Sequence, residues 1–367
     1  MSFPPAGRLL RAVFRAALAI GMGWTLSAVA AGPKAASKLP PDQLRKVNRL
    51  LADFRRANSD LPKREAICQQ VCDIGPAAVP LMAAAIEKEL QPQLRRYTGS
   101  FQQQAAAVAK KRTAKVDINE VAQLRKTVLG LQYRGADFTK ETIVRDGDPA
   151  LKRLEQICVI DRSKVLEQSA DLQAERKKLQ GLGKLWESCQ SQMPKPPVPE
   201  GQETPKAASF EEYLLGEEGF AAALAAPMDP KTRNVLMFNA RLAEKLDREE
   251  ARTILACNLM RNLLGLSALV IDPKLCEACR DHSKDMETLK FFAHESPVEG
   301  KKTPWDRAKR FGTIASAENI FMGLRDGKAA NEGWFHSPGH HKNMLAADHV
   351  RIGVGRSGVY FTEEFGN

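Results

Sequence analysis

The first 281 residues contain no histidine. All six, His282, His294, His336, His340, His341 and His349, fall near the end of the 367-residue chain. Chemistry that needs an imidazole is therefore confined to the C-terminal part. Aromatic residues are scarce, at 6%. None interleaves with the basic stretches as a base-stacking surface requires, so no nucleic-acid partner is expected. No G-x-S-x-G elbow offers a serine nucleophile. After residue 30 no apolar run is long enough to span a bilayer. The cysteines number seven (Cys68, Cys72, Cys158, Cys189, Cys257, Cys276, Cys279), so they cannot all pair within one chain.

What is present begins with an export signal over residues 1–30. Arg8, Arg11 and Arg15 precede the apolar stretch AALAIGMGWTLSAVA, which ends on the small residues Ala28-Val29-Ala30. The expectation is a secreted, periplasmic or cell-envelope protein, with an uncleaved N-terminal membrane anchor as the alternative. Net charge is +11, yet from Ser209 onward 21 Lys and Arg face 23 Asp and Glu, so the basic excess precedes that point. A basic helical region outside the cytoplasm attracts anionic envelope components. A solvated helix surface accounts for the same charges.

Abundant Ala, Leu, Lys, Glu and Gln predict a helical region over 42–190. Within it DIGPAAVPLMAAAIEKEL reads as a HEAT-like unit near 74–90. Leu151, Cys158, Val165, Leu172, Leu179 and Trp186 recur every seven residues, which predicts a long amphipathic helix over 150–189. Asp161, Gln168 and Glu175 interrupt the companion seam, so a partly coiled-coil-like helix in a hairpin or small bundle is expected. Oligomerisation through this region stays open. A Pro-rich linker covers 193–209 and a helical lead-in 210–248. RIGVG and GVYFT then read as a β-hairpin turning at Arg356-Ser357-Gly358. Cys276-x-x-Cys279 lies in a helical pattern and reads as two small buried residues rather than a zinc or redox pair. The fold class is α+β, with a mostly α-helical N-terminal region.

From about Glu249 the segments NLMRNLLGLSAL, DPKLCEACRDHSKDM, FFAHESP, TPWDRAKRFG, SAENI, GWFHSPGHHKNML, RIGVG and YFTEEFG follow in order. This order closely resembles the CAP superfamily, also called SCP-like, named for cysteine-rich secretory proteins, venom antigens and pathogenesis-related proteins. The bacterial secreted branch is the nearest match, over 249–367. The resemblance implies an α-β-α sandwich and a cleft where two histidines meet acidic residues. Carried across, these are His294, His340 and Glu318. The sequence departs from the family in three places. Ala317 stands where Gly usually precedes the glutamate, and Cys257 where many relatives have His. Ser337 replaces a second glutamate, so the four-ligand cluster is incomplete.

Ser337 is a good N-cap and Pro338 suits a first helical position, so a helix should begin at GHHKNML. His340 then lies in the first turn, where orphan N–H groups disfavour a positive ring. A neutral imidazole can bind a metal or accept a proton. His341 must point away, His336 should be partly exposed, and Asn343 should bond across the helix start. Phe291-Phe292 should anchor the segment carrying His294. Asn258 and Arg261 are expected to brace the fold, with Trp334 in the core.

His294, His340 and Glu318 make the ligand set of an open zinc or other divalent-cation site, and are equally the candidates for catalysis. The same three could form a buried hydrogen-bonded network instead. The favoured function is a non-enzymatic module whose cleft takes a divalent metal, a lipid or another small apolar ligand. An extracellular metal-dependent hydrolase or protease is one alternative, and an envelope scaffold acting through its helices is the other.

Overall fold

The computed structural model describes residues 39–193 and 209–367. The export signal expected over 1–30 and most of the linker expected over 193–209 lie outside the described residues. Helices come first in the chain: α1 (Pro41–Ala57), α2 (Leu61–Cys72), α3 (Val79–Thr113), α4 (Ile118–Gly130), α5 (Asp148–Cys158), α6 (Arg162–Glu167) and α7 (Ala170–Ser191). Next come α8 (Phe210–Ala225), α9 (Pro230–Leu242), α10 (Arg248–Leu263), β1 (Val270–Ile271), α11 (Pro273–Leu289) and α12 (Pro304–Arg310). The chain ends with β2 (Ala317–Met322), α13 (Gly327–Phe335), α14 (Pro338–Leu345), β3 (Arg351–Ser357) and β4 (Tyr360–Gly366).

Two compact units divide the chain, and the helical region expected over 42–190 is shared between them. One unit is helical and takes the described residues of 39–104 and 163–215. Asp60 caps α2 by accepting from the Lys63 N–H at 3.0 Å. Arg64 of α2 forks onto Glu89 at 3.0 and 2.8 Å and lies over the Phe54 ring at 4.4 Å. Of the HEAT-like unit expected near 74–90, residues 79–90 form the start of α3, which runs on to Thr113.

The single helix expected over 150–189 is instead three, α5, α6 and α7. Val159 leaves the helical region at ψ 131°, and Ser169 is extended at φ −145°, where its hydroxyl caps α7 by accepting from Leu172 N–H. Local capping chemistry overrides the repeat. Leu151, Val165, Leu172, Leu179 and Trp186 are buried nonetheless. The repeat marks buried faces on separate helices.

The other unit joins Ala105–Arg162 to Gly216–Asn367. Its sheet runs β1-β3-β4-β2, with β1 parallel to β3 and the remaining pairs antiparallel. Strand alternation gives the sheet two faces. On one, α11 lies directly on β3. A Cβ at Gly353 would fall 2.4 Å from Leu275 Cβ, and one at Gly355 2.0 Å from Arg280 N, so glycine is required for that approach. Cys279 Sγ and Ser283 Oγ bond the Gly353 and Gly355 carbonyls at 3.5 and 2.9 Å. Both Cys276 and Cys279 are fully buried, as small apolar residues would be. On the opposite face Ile352, Val354, Phe361 and Phe365 pack with α10 and α13. The hairpin turns at Gly358-Val359, one residue past the expected centre, with Gly358 at φ +56°.

One hydrophobic cluster joins this sheet to residues that precede it by a hundred positions or more. Val128, Leu131, Phe138, Ile143, Leu151 and Leu154 share a core with Leu255, Leu259, Trp334 and Leu345. Arg125 Nε donates to the Leu263 carbonyl at 2.9 Å, satisfying an orphan group at the end of α10.

Candidate functional site

Glu318 sits on β2, one of the two edge strands, and is buried. Its register partner is Glu364 of β4, which is wholly buried. Two carboxylates opposite one another on a covered face cannot both stay charged. Burial first, then the charge of Glu318, holds Glu364 well above the usual carboxylate range. Glu364 is therefore held in its protonated form.

Arg307 supplies the compensating cation. It is fully buried on α12, whose start is fixed by a capping box between Thr303 and Asp306. Its Nη2 donates to Glu318 Oε2, and its Nε lies 4.0 Å from Glu364 Oε1. Its Nη1 donates to the carbonyls of His294 and Lys301 at 3.1 Å and of Lys302 at 3.3 Å. The guanidinium thus neutralises Glu318 and folds the loop that presents His294.

His294 Nδ1 lies 2.8 Å from Glu318 Oε1, while its side chain is 50% exposed. With Glu318 accepting, Nδ1 donates and Nε2 is left as the ring's other nitrogen. The His340 ring, on α14, lies 6.3 Å from that of His294. Asn319 and Asn343 hold α14 to β2: Asn319 Nδ2 donates to the His340 carbonyl at 3.4 Å, and Asn343 Nδ2 to the Glu318 carbonyl at 3.1 Å and to Asn319 Oδ1 at 2.9 Å. The two imidazoles therefore meet over the edge of β2. Burial, then the neighbouring His294, lowers the His340 pKa and keeps it neutral.

All three sequence candidates come together, but not around a metal position. Both oxygens of Glu318 are engaged, one by His294 and one by Arg307, and a buried guanidinium stands where a cation would have to compete. Among the described residues no three His, Cys, Asp or Glu side chains are arranged to hold a metal ion. The donor set does not fit one.

The remaining residues take local roles. The helix does start at Pro338, yet the Ser337 hydroxyl makes no capping bond; Asn343 ties α14 to β2 rather than bonding across the helix start. Asn258 pairs with Leu269 at 2.9 and 2.7 Å, and Arg261 donates to the Met344 and Ala346 carbonyls at 2.8 Å. Trp334 is buried and donates to the Ile320 carbonyl at 3.0 Å. Phe291 packs beside His282, whereas Phe292 is 44% exposed near Tyr360, so only the first of the pair anchors the loop. His341 is buried against Phe335 and Phe138, and burial lowers its pKa to about 4. His336 is half-buried and bonds Asp148 of α5 at 2.9 Å. Burial opposes its protonation, but Asp148 outweighs that, and its pKa is raised.

Sequence reasoning missed Arg307 and Glu364. The signal was present in YFTEEFG: consecutive residues of a strand face opposite ways, and in a sandwich both faces are covered. Glu363 and Glu364 must then both be buried, and each needs a partner. Glu363 accepts from Asn319 Nδ2 at 2.9 Å on the far face, and burial raises its pKa to about 8.

Residues 254–363 match the family model described as CAP, cysteine-rich secretory protein family. The chain is 35% identical over 120 residues to the "uncharacterized protein YkwD" of Bacillus subtilis, covering 32% of this chain and 46% of that protein. It is 34% identical over 108 residues to the "uncharacterized membrane protein YlbC" of the same organism, covering 29% and 31%. The match thus spans less than half the length of either relative. A solved extracellular protein containing an SCP domain, from Bacillus anthracis, is 32% identical, with a TM-score of 0.31, covering 32% of this chain and 39% of that one. No helix among the described residues is long and apolar enough to cross a membrane.

Proposed function

The C-terminal third of the chain is a CAP domain, and from that we propose that the protein is a non-enzymatic binding module of the cell exterior or envelope. Its cleft takes a small amphipathic molecule without a metal ion. The observation that carries this reading is the saturation of Glu318 by Arg307 and His294, which leaves two imidazoles as the polar groups facing outward. Neutral His340 and the free nitrogen of His294 suit a hydroxyl, ester or carboxyl group of a ligand. Exposed apolar residues continue from that point: Phe292 lies beside Tyr360, whose register partner on β2 is the exposed Met322. Such a border suits an acyl chain.

A hydrolase would need a nucleophile beside the imidazoles. Ser296 is buried, and its hydroxyl accepts from Val298 N–H at 3.2 Å, which favours a turn role. An exterior location accords with the relatives' printed descriptions, one extracellular and one a membrane protein.

The test is titration of the full chain with a fluorescent fatty acid, in the presence of a chelator. Saturable binding that weakens about tenfold in His340→Ala supports the reading, since one lost polar contact is worth about 1.4 kcal/mol. Equal binding in parent and variant, or turnover of a fatty-acid ester, would overturn it.

A further inference from the structure

Three thiols meet in the helical unit, outside the matched residues. Cys68 and Cys72 lie four residues apart on α2 and so share one face. Cys189 lies near the end of α7. These helices run side by side in the same direction. At the start of α2, Leu61 presses on Gly181 of α7, where an added Cβ would fall 2.5 Å from Leu61 Cδ1. Seven or more residues further along the same two helices, Cys68 and Cys72 come level with Cys189, and the neighbouring cysteines raise the pKa of Cys189 and of Cys72. Cys68 and Cys189 are buried, Cys72 is half-buried, and all three are free thiols in this structure.

A single buried cysteine behaves as a small apolar side chain, which accounts for Cys257 in the sheet unit's core. Three brought level with one another where two helices pack need another account. Metal binding does not supply it, because no three-ligand group suited to a metal occurs among the described residues.

We propose that Cys189 forms a disulfide with Cys68, stapling α2 to α7, and that Cys72 is the thiol through which the bond is made. The oxidant is a disulfide, either a small molecule such as oxidised glutathione or an exposed protein disulfide. The Cys72 thiolate attacks one oxidant sulfur, its S–S bond breaks, and one thiolate leaves. Cys189 then attacks Cys72 Sγ and expels the second oxidant thiolate. Cys68 attacks Cys189 Sγ and returns Cys72 as a thiol. Two protein thiols are oxidised, the oxidant is reduced to two thiols, and the protons lost by the attacking thiols go to the leaving ones.

Burial, then the neighbouring Cys189, pushes the Cys72 thiol up to about 11, so the exchange is slow at neutral pH and the finished bond persists. The partners are about 120 residues apart in sequence, the long-loop case in which a cross-link restricts the unfolded chain most.

The experiment is a non-reducing peptide map of the full folded chain after incubation with oxidised glutathione and alkylation. The expected result is a peptide joining Cys189 to Cys68, with Cys72 alkylated and the Tm raised by about 5 °C or more until reductant is added. In Cys189→Ser the linked peptide disappears and glutathione remains on Cys72. In Cys72→Ser the link to Cys68 still forms, more slowly. All three thiols alkylated and unlinked in the oxidised parent would overturn the proposal. So would a Cys189–Cys72 bond that never passes to Cys68.

Discussion

Arg307 carries most of the charge balance at the cleft, because it is fully buried between Glu318 and Glu364 and donates to three loop carbonyls. Arg307→Met should cost about 3–5 kcal/mol in urea unfolding, since it leaves a buried carboxylate without its cation. Glu364→Gln should cost far less, as that group is already uncharged. Glu363 makes a separate prediction through pH. Its folded pKa is about 8 against an unfolded value of 4.5. Between those values the unfolded chain has lost the proton that the folded chain keeps. Stability from this group is therefore complete below 4.5 and falls as pH rises toward 8. Urea midpoints of Glu363→Gln should decline less than the parent's over that window. His282 and His341 act in the opposite sense. Burial lowers both to about 4, so their contribution is lost as pH falls from 6.5 toward that value.

At the scale of elements, the join between α5 and α13 rests on Asp148 and His336, whose side chains are 15% and 18% exposed. The His336 pKa is raised, so the pair stabilises fully below 6.5 and its contribution fades as pH climbs through the folded value. Asp148→Asn should destabilise by about 1–2 kcal/mol more near pH 6 than near pH 9. A difference that does not depend on pH would mean Asp148 acts only through its place in the first turn of α5. Much of the element order was legible beforehand. The hairpin showed in RIGVG and GVYFT, α14 showed in Ser337-Pro338, and the ordered motifs brought His294, His340 and Glu318 to one place. Other features were not legible. The heptad spacing concealed two helix breaks, because Ser169 offered its own backbone bond and no repeat records that. Arg307 was hidden because its partners are loop carbonyls and a carboxylate that no motif spacing ties to it. The engagement of Glu318 depends on those partners, so the metal expectation could not be judged from the motif alone.

For the molecule as a whole, the family match begins at residue 254 while the core it shares begins with Val128. A fragment limited to residues 209–367 would strip Val128, Leu131, Phe138 and Leu151 from Leu255, Leu259 and Leu345, exposing apolar surface that the full chain buries. Measurements on the cleft therefore belong to the full chain. If this CAP domain presents a metal-free pair of imidazoles, calorimetric titration of the full chain with zinc, beside a His294→Ala/His340→Ala double variant, should give no saturable heat in the parent beyond that of the variant. Stoichiometric binding in the parent that vanishes in the variant would contradict it, and would mean that a metal ion displaces Arg307 from Glu318.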